Sequence, residues 1–369
     1  QPSVQEMHGG GSGFGVIVAA CWRRRIYSVK AALLFGPSDL RVVEIKTPAL
    51  AADEALVRVV CYAPYGTDLG VFLNRGGRYP QPYPVGMGAD FSGVIAEAGA
   101  DVDGFAPRDR VSALTLAHCG TCANCLTGRT NLCLHPNYVP PPRQVCCQEF
   151  TVVPARKLAK LPDAVTFEDA AMLAGVGDAL NAWDAIKPGV DETVAVVGVG
   201  AMGWGAIAAV KARGRRVIAV GGTGRRADLA RLAGADEVVP LAVHDEDVSD
   251  QVTALTPGGI GCVIETSATD WGVRQSFAIA APGARIALTG GDALPVSAWD
   301  LVIREIAVFG MRASHHQDQA LQLIADGRID LKPTVSHRMN LGQAPDAFAL
   351  LTGPGAKDMG RVIIEISDP

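Results

Sequence analysis

Long apolar runs are missing from this chain. Nowhere do about 18 apolar residues follow one another, so a bilayer span is not expected. Residues 14–21 are apolar but too few, and Arg23-Arg24-Arg25 follows them, the reverse of a secretory signal. An excess of positive charge is also missing. Lys and Arg number 33 against 38 Asp and Glu, a net charge of -5, which gives no electrostatic case for nucleic acid. Cysteine is sparse, 9 in 369 residues, far from the density of a disulfide scaffold. Four of those cysteines cluster at metal spacing, which favours a metal site and a reducing, cytoplasmic compartment. Histidine is scarce as well: His315-His316 and His337 have no partner at metal spacing.

What is present is glycine, 42 residues, often in short runs after apolar stretches, as in the strand-turn-helix units of an α/β protein. At roughly 100–200 residues per domain the length suggests two domains. Residues 1–28, with Gly9-Gly10-Gly11-Ser12-Gly13 and the tri-arginine, read as an extension outside the fold. From Val29 to about residue 158 short alternating segments punctuated by Gly and Pro predict a β-rich domain. A helix of small apolar residues is expected over 170–185. Beyond Glu192 strands alternate with amphipathic helices: strand 193–197, helix 201–213, strand 216–220, helix 225–232, strand 237–239. This is a βαβ series with a parallel sheet, continued by strands 262–265 and 285–289. Helix 317–324 and strand 360–366 close the chain.

The run Val194-Ala195-Val196-Val197 leads into Gly198-Val199-Gly200-Ala201-Met202-Gly203. G-x-G-x-x-G is weak by itself. Between a strand and a helix it reads as a dinucleotide fingerprint: Gly198 for the tight turn, Gly200 for approach of the pyrophosphate, Gly203 for close helix packing. The helix N-terminus there offers free N–H groups, including those of Ala201 and Met202, to phosphate. An NAD site places an acid at the end of the second strand. Here Val220 is followed by Gly221-Gly222-Thr223-Gly224-Arg225-Arg226. With the acid absent and Arg225, Arg226 and Thr223 available to a 2′-phosphate, NADP(H) is the expected cofactor.

Cys119, Cys122, Cys125 and Cys133 form C-x2-C-x2-C-x7-C. Four thiolates make a closed tetrahedral site that leaves no position for water or substrate, so one structural Zn2+ is expected. An iron–sulfur cluster is the chemical alternative. Cys21, Cys61, Cys146, Cys147 and Cys262 lack such spacing and read as small buried hydrophobes.

A β-rich lobe with a four-cysteine loop, followed by a G-x-G-x-x-G domain, resembles the zinc-containing alcohol dehydrogenases of the medium-chain dehydrogenase/reductase superfamily. Gly66-Thr67-Asp68, Phe91-Ser92-Gly93-Val94, Asp109-Arg110-Val111, Lys160-Leu161-Pro162-Asp163 and Gly360-Arg361-Val362-Ile363 extend the resemblance over nearly all of residues 29–369. It implies an α/β architecture: a GroES-like β-rich catalytic domain from residues 29–178 and 313–369, a Rossmann doubly wound parallel-sheet domain from 179–312, and an active site in the cleft between them. It further implies that Thr266 and Ser267 border the nicotinamide ribose, that Thr289 and Gly290 lie near the carboxamide, and that the protein is a homodimer or homotetramer.

The departures from that pattern bear on function. The family's C-G-T-D, G-H-E and later Cys/Glu/Asp supply the catalytic zinc ligands; here the aligned residues are Tyr65, Ala89-Asp90 and Ala174. Asp90 alone does not hold a catalytic zinc, which takes about three protein ligands. Zinc's polarisation of the carbonyl then has to be replaced by an electrophilic substrate or by hydrogen-bond donors aimed at the developing oxyanion. Tyr65 and Thr67 are the candidate donors, Tyr65 being equally a filler of the vacated space. Asp90 is a candidate to orient a partner or a cationic substrate. These residues point to an NADPH-dependent reductase of a small molecule with a C=O, C=N or activated C=C bond. A zinc alcohol dehydrogenase with rearranged ligands and a non-catalytic NADPH-binding protein are the competing readings.

Overall fold

Val194–Val197 is buried on both faces, as a nearly continuous apolar strand must be when helices cover both sides of its sheet. It is central to a six-stranded parallel sheet ordered Glu237–Val239, Val217–Val220, Val194–Val197, Ile260–Glu265, Ala280–Leu288, Ala307–Gly310. Strand order reverses beside Val194–Val197, and in open α/β sheets such a switch point opens a ligand crevice at the carboxyl ends of the strands. The structure is a computed structural model that describes residues 28–368 apart from 48, 76–81, 114–117, 136–144, 242, 244–245, 292, 295 and 313–315. The proposed extension, save Ser28, and Cys21 therefore lie outside the described residues.

A second sheet joins both ends of the chain. Ile364 and Glu365 of the terminal strand Arg361–Glu365 pair antiparallel with Tyr62 and Cys61 of Glu54–Tyr62. Around them a seven-stranded sheet is completed by Val335–Asn340, Phe91–Ala98, Arg110–Ala113, Phe150–Pro154 and Leu158–Lys160. The first strand, Ser28–Leu34, pairs with Leu40–Lys46 and with Val85–Gly86 in a smaller sheet. One apolar cluster runs from Val60 and Ala63 through Val176 and Leu180 to Ile207, so the two sheets share a core. Among the described residues, no helix is long and apolar enough to cross a membrane.

Two expected elements differ. The helix over 170–185 is two helices, Phe167–Ala171 and Leu173–Ile186. A reciprocal capping box between Thr166 and Asp169 starts the first, and Met172 leaves helical geometry between them (φ -101, ψ 7). The strand expected over 285–289 begins earlier, at Ala280. Pro282-Gly283 interrupts its apolar pattern and Gly283 takes a positive φ of 77, which hides the first half from a sequence reading.

Candidate active site and metal site

The fingerprint turn divides its glycines by role. Gly198 has φ 95, and a Cβ there would come within 2.6 Å of the Ser267 amide nitrogen. A Cβ on Gly203 would come within 1.9 Å of the Gly198 carbonyl oxygen, so helix and turn touch only because neither carries a side chain. Gly200 faces open space: a Cβ there would meet no atom within 4 Å among the described residues. It is also the N-cap of the helix Ala201–Ala212 and supplies no side-chain cap. The first N–H groups of that helix, among them those of Ala201, Met202 and Gly203, thus point at open approach space, the arrangement that receives phosphate.

At the end of Val217–Val220 the backbone itself excludes an acid. Gly221 and Gly222 have φ of 112 and 77, and a Cβ on Gly222 would lie 2.2 Å from Val199 Cγ2. The two arginines that follow are separated in role. Arg226 Nη2 donates to the Ala356 carbonyl (2.9 Å), tying the helix Arg225–Leu232 to the C-terminal segment. Arg225 is exposed at the first position of that helix and has no ion-pair partner among the described residues.

The next strand ends use their hydroxyls internally. Thr266 Oγ1 donates to the Val197 and Gly198 carbonyls (3.0 and 2.8 Å), Thr289 Oγ1 donates to the Glu265 carbonyl (2.9 Å), and Ser267 Oγ bonds Glu265. These bonds hold the rim of the crevice in place. Burial pushes the Glu265 carboxyl up to about 7, against hydrogen bonds from Ser267 and Ala268. Beside Thr289 and Gly290 opens a cavity of about 360 Å3, bounded also by Leu288, Gly310, Met311 and Arg312.

At the aligned metal-ligand positions, Tyr65 is buried and N-caps the helix Gly66–Leu73. Its Oη donates to the Met172 carbonyl (2.7 Å) and accepts from the Gly175 amide (3.4 Å), on either side of Ala174. Two of the three replaced positions are therefore adjacent, joined by the tyrosine hydroxyl. Burial pushes the Tyr65 phenol up to about 12, partly offset by Arg361. Ala89 and Ala174 are half-buried, as is Asp90, whose charge acts on Tyr65, Asp68 and the buried Lys157. Burial lowers the Lys157 amine to about 8, with Asp90 opposing. Thr67, one residue into the helix, is exposed and makes no side-chain hydrogen bond to a described residue. Cys61, buried with its thiol pushed up to about 12 chiefly by burial, stays protonated and offers no thiolate to this space. Cys146, Cys147 and Cys262 are buried too.

Asp68 is buried beneath the same helix and accepts the Tyr65 amide (2.8 Å). Burial raises its carboxyl to about 7, above the ordinary value of 3.8. The folded chain therefore holds this proton more tightly than the unfolded chain. The resulting stability is complete below about pH 4 and lost as pH rises through about 7. Asp68→Asn keeps the acceptor and removes the ionisation. The stability difference, wild type minus variant, is expected to fall between about pH 4 and 7 and then level off, read by denaturant unfolding across that range. Parallel curves would refute the assignment.

Arg361 is a candidate site residue that motif reading did not single out. It is 4% exposed, its guanidinium lies 3.9 Å from the Tyr65 ring centroid, and Nε, Nη1 and Nη2 have no hydrogen-bond partner among the described residues. A buried cation whose five donors find no described hydrogen-bond acceptor, stacked on the Tyr65 ring with the Asp68 carboxyl nearby, is suited to an anionic ligand group. The available signal was a buried charge opening the strand Arg361–Glu365, directly after Gly360.

The cysteine loop fits zinc. The Sγ atoms of Cys119, Cys122, Cys125 and Cys133 all lie within 4.8 Å of one another, the only such His/Cys/Asp/Glu group among the described residues. Separations of 3.4 Å (Cys122 to Cys125), 3.9 Å (Cys119 to Cys125) and 4.0 Å (Cys122 to Cys133) bracket the edge of about 3.8 Å set by four Zn–S bonds of about 2.3 Å. Backbone amides of Cys122, Leu134 and His135 donate to the sulfurs of Cys119, Cys122 and Cys133. Hydrogen bonds from the Thr121 amide and hydroxyl pull the Cys119 thiol down, toward the thiolate a metal needs, whereas burial pushes the neighbouring Cys125 thiol up.

Comparison with known proteins agrees with this geometry. A family model described as alcohol dehydrogenase GroES-like domain matches residues 51–163, and one described as zinc-binding dehydrogenase matches residues 201–326. Sorbitol dehydrogenase of Bacillus subtilis (strain 168) is 27% identical over 331 residues, covering 87% of this chain and 93% of its own length. L-threonine 3-dehydrogenase of Bacillus velezensis is 28% identical over 317 residues, covering 84% and 91%. Among solved structures, a protein described as a zinc-binding dehydrogenase from Sinorhizobium meliloti 1021, bound to NADP, superposes with a TM-score of 0.81 at 26% identity, over 92% of this chain and 99% of that one. Alcohol dehydrogenase TADH from Thermus sp. ATN1 gives a TM-score of 0.82 at 25% identity, over 92% and 100%.

Proposed function

This chain belongs to the alcohol dehydrogenase-like medium-chain dehydrogenases/reductases and is an NAD(P)-dependent oxidoreductase, and from that membership we propose that it is an NADPH-dependent reductase of C=O, C=N or activated C=C bonds that works without a catalytic zinc. The observation that carries the reading is Tyr65, whose hydroxyl bridges Met172 and Gly175 where the metal's ligands would converge. NADP(H), when bound, supplies the hydride from its nicotinamide ring. The helix N-terminus at Gly200 to Gly203 holds the pyrophosphate, and Arg361 meets an anionic group of the bound ligands with its unpaired donors. Thr266, Ser267, Thr289 and Gly290 act as a fixed rim rather than through free hydroxyls.

The candidate catalytic residues then divide. Tyr65 has its proton committed to Met172 and anchors the helix that carries Thr67. Thr67 presents the free hydroxyl that donates to the oxyanion developing on the substrate, and Asp90 sets the local negative charge. Removing one such donor costs about a hundredfold or more in kcat. Thr67→Val is therefore expected to lower kcat about a hundredfold while Thr67→Ser retains most of it, measured as NADPH oxidation with a panel of aldehydes, imines and enones. Tyr65→Phe is expected to lower unfolding stability by about 1 kcal/mol with turnover within a few-fold of wild type. The reverse pattern, stability kept and turnover gone, returns the proton-donor role to Tyr65.

A homodimer is part of the same reading. The helix Ala298–Arg304 buries none of its residues and leaves Trp299, Val302 and Ile303 at 68%, 62% and 65% exposure beside the edge strand Ala307–Gly310. An unpaired strand edge flanked by apolar side chains is self-complementary about a two-fold axis. Light scattering should return twice the chain mass for wild type and the single-chain mass for Trp299→Glu; a wild-type monomer refutes it.

A further inference from the structure

The cavity beside Thr289 and Gly290 carries one feature that cofactor binding does not use. Its described lining is apolar or backbone, from Leu288, Gly290, Gly310 and Met311, apart from Thr289 and Arg312. Thr289 spends its hydroxyl proton on the Glu265 carbonyl. Arg312 is thus the one charged residue on the described wall; it is exposed and has no ion-pair partner among the described residues. Its backbone is fixed: Met311 N donates to the Leu288 carbonyl (2.8 Å), and Asn181 Nδ2 donates to the Arg312 carbonyl (3.0 Å). An arginine on a fixed backbone, beside an open and largely apolar depression and without a counter-charge among the described residues, is suited to an anion.

That anion is not a phosphate of the cofactor. Arg312 follows the edge strand Ala307–Gly310, three strands from Val194–Val197, where the fingerprint lies, and four from Val217–Val220, where the 2′-phosphate would sit. At about 4.8 Å per strand these offsets are roughly 14 and 19 Å, more than an arginine side chain spans. Arg312 lines the same depression as Thr289 and Gly290, the end of the crevice that the reductase reading assigns to the reacting ring. We propose that Arg312 selects the substrate class: carbonyl or conjugated-carbonyl compounds that carry a carboxylate a short distance from the reducible bond, held by the guanidinium fork. This inference rests on the reductase reading and adds the substrate's charge to it.

The test compares 4-carboxybenzaldehyde with its neutral counterpart, methyl 4-formylbenzoate, under NADPH with the intact protein. Wild type is expected to favour the carboxylate about tenfold in kcat/KM, mainly through KM. Arg312→Gln is expected to bring that ratio near one, and Arg312→Lys to restore part of it. A wild-type ratio near one, or a ratio that survives Arg312→Gln, overturns the proposal. If neither aldehyde is reduced, the failure belongs to the reductase reading. Binding then decides on Arg312: terephthalate should perturb the fluorescence of protein-bound NADPH in wild type and not in Arg312→Gln. No response in wild type, or the same response in both, overturns it.

Discussion

Purified protein is expected to carry one zinc ion per chain, and Cys125→Ser to carry none. The four sulfurs already stand close to the corners of a ZnS4 tetrahedron, and backbone amides are directed at three of them. Structural zinc contributes about 10–16 kcal/mol in small zinc modules, as much as the whole stability of a typical domain at about 5–15 kcal/mol. Losing one of four ligands in so small a loop therefore unfolds the loop rather than weakening it. Elemental analysis reads the stoichiometry, and a lowered midpoint of thermal unfolding in Cys125→Ser or after strong chelation reads the consequence. The count also bears on catalysis. One ion per chain leaves chemistry to the chain's own donors. Two would mean that a second site forms despite Tyr65, Ala89 and Ala174, and the zinc-free mechanism would fall.

Arg225→Ala should shift cofactor preference from NADP toward NAD by roughly 10–100-fold, through weaker NADP binding with NAD binding unaltered. The estimate is that of a charge-assisted hydrogen bond to phosphate, about 1.5–3 kcal/mol, lost without replacement. Arg225 stands exposed one residue beyond Gly224 with no ion-pair partner among the described residues; the glycines at 221 and 222 put no acid at the strand end itself, and the Asp358 carboxylate approaches from the C-terminal segment beside Gly224. Arg226→Ala should leave the preference nearly unchanged and lower stability, because its guanidinium bonds the Ala356 carbonyl and its stem is largely buried. Titrations of both coenzymes against the two variants check this. Equal NADP/NAD ratios in wild type and Arg225→Ala would sink the assignment of NADP specificity to this arginine.

How much of this could be read in the sequence follows the range of the forces. The helices over 225–232 and 317–324, and the strands at 194–197 and 237–239, were legible to within a residue or so, because side-chain periodicity acts over one or two turns. The break at Met172 was not, since nothing within the small apolar run 170–185 marks it; the cue lies in the capping box before it. Tyr65 stands where the resembling family has a metal ligand, but whether its hydroxyl was free depended on Met172, 107 residues along the chain. The two arginines after Gly224 looked interchangeable until Ala356, 130 residues away, claimed one of them.

The sequence by itself determined the two features built from short segments. The glycine-rich turn is set by glycine sterics within residues 198–203, and the four-cysteine cluster by thiols within residues 119–133, each short enough that spacing is geometry. The tertiary structure alone decided which polar groups remain available for chemistry. A donor is free only if no distant carbonyl has taken its proton, and that is settled when Tyr65, Met172, Arg226 and Ala356 are packed together. The proposed loss of the catalytic zinc is read from three residue identities, while the groups proposed to bind and activate substrate, Thr67, Arg312 and Arg361, are singled out only by the bonds they lack among the described residues.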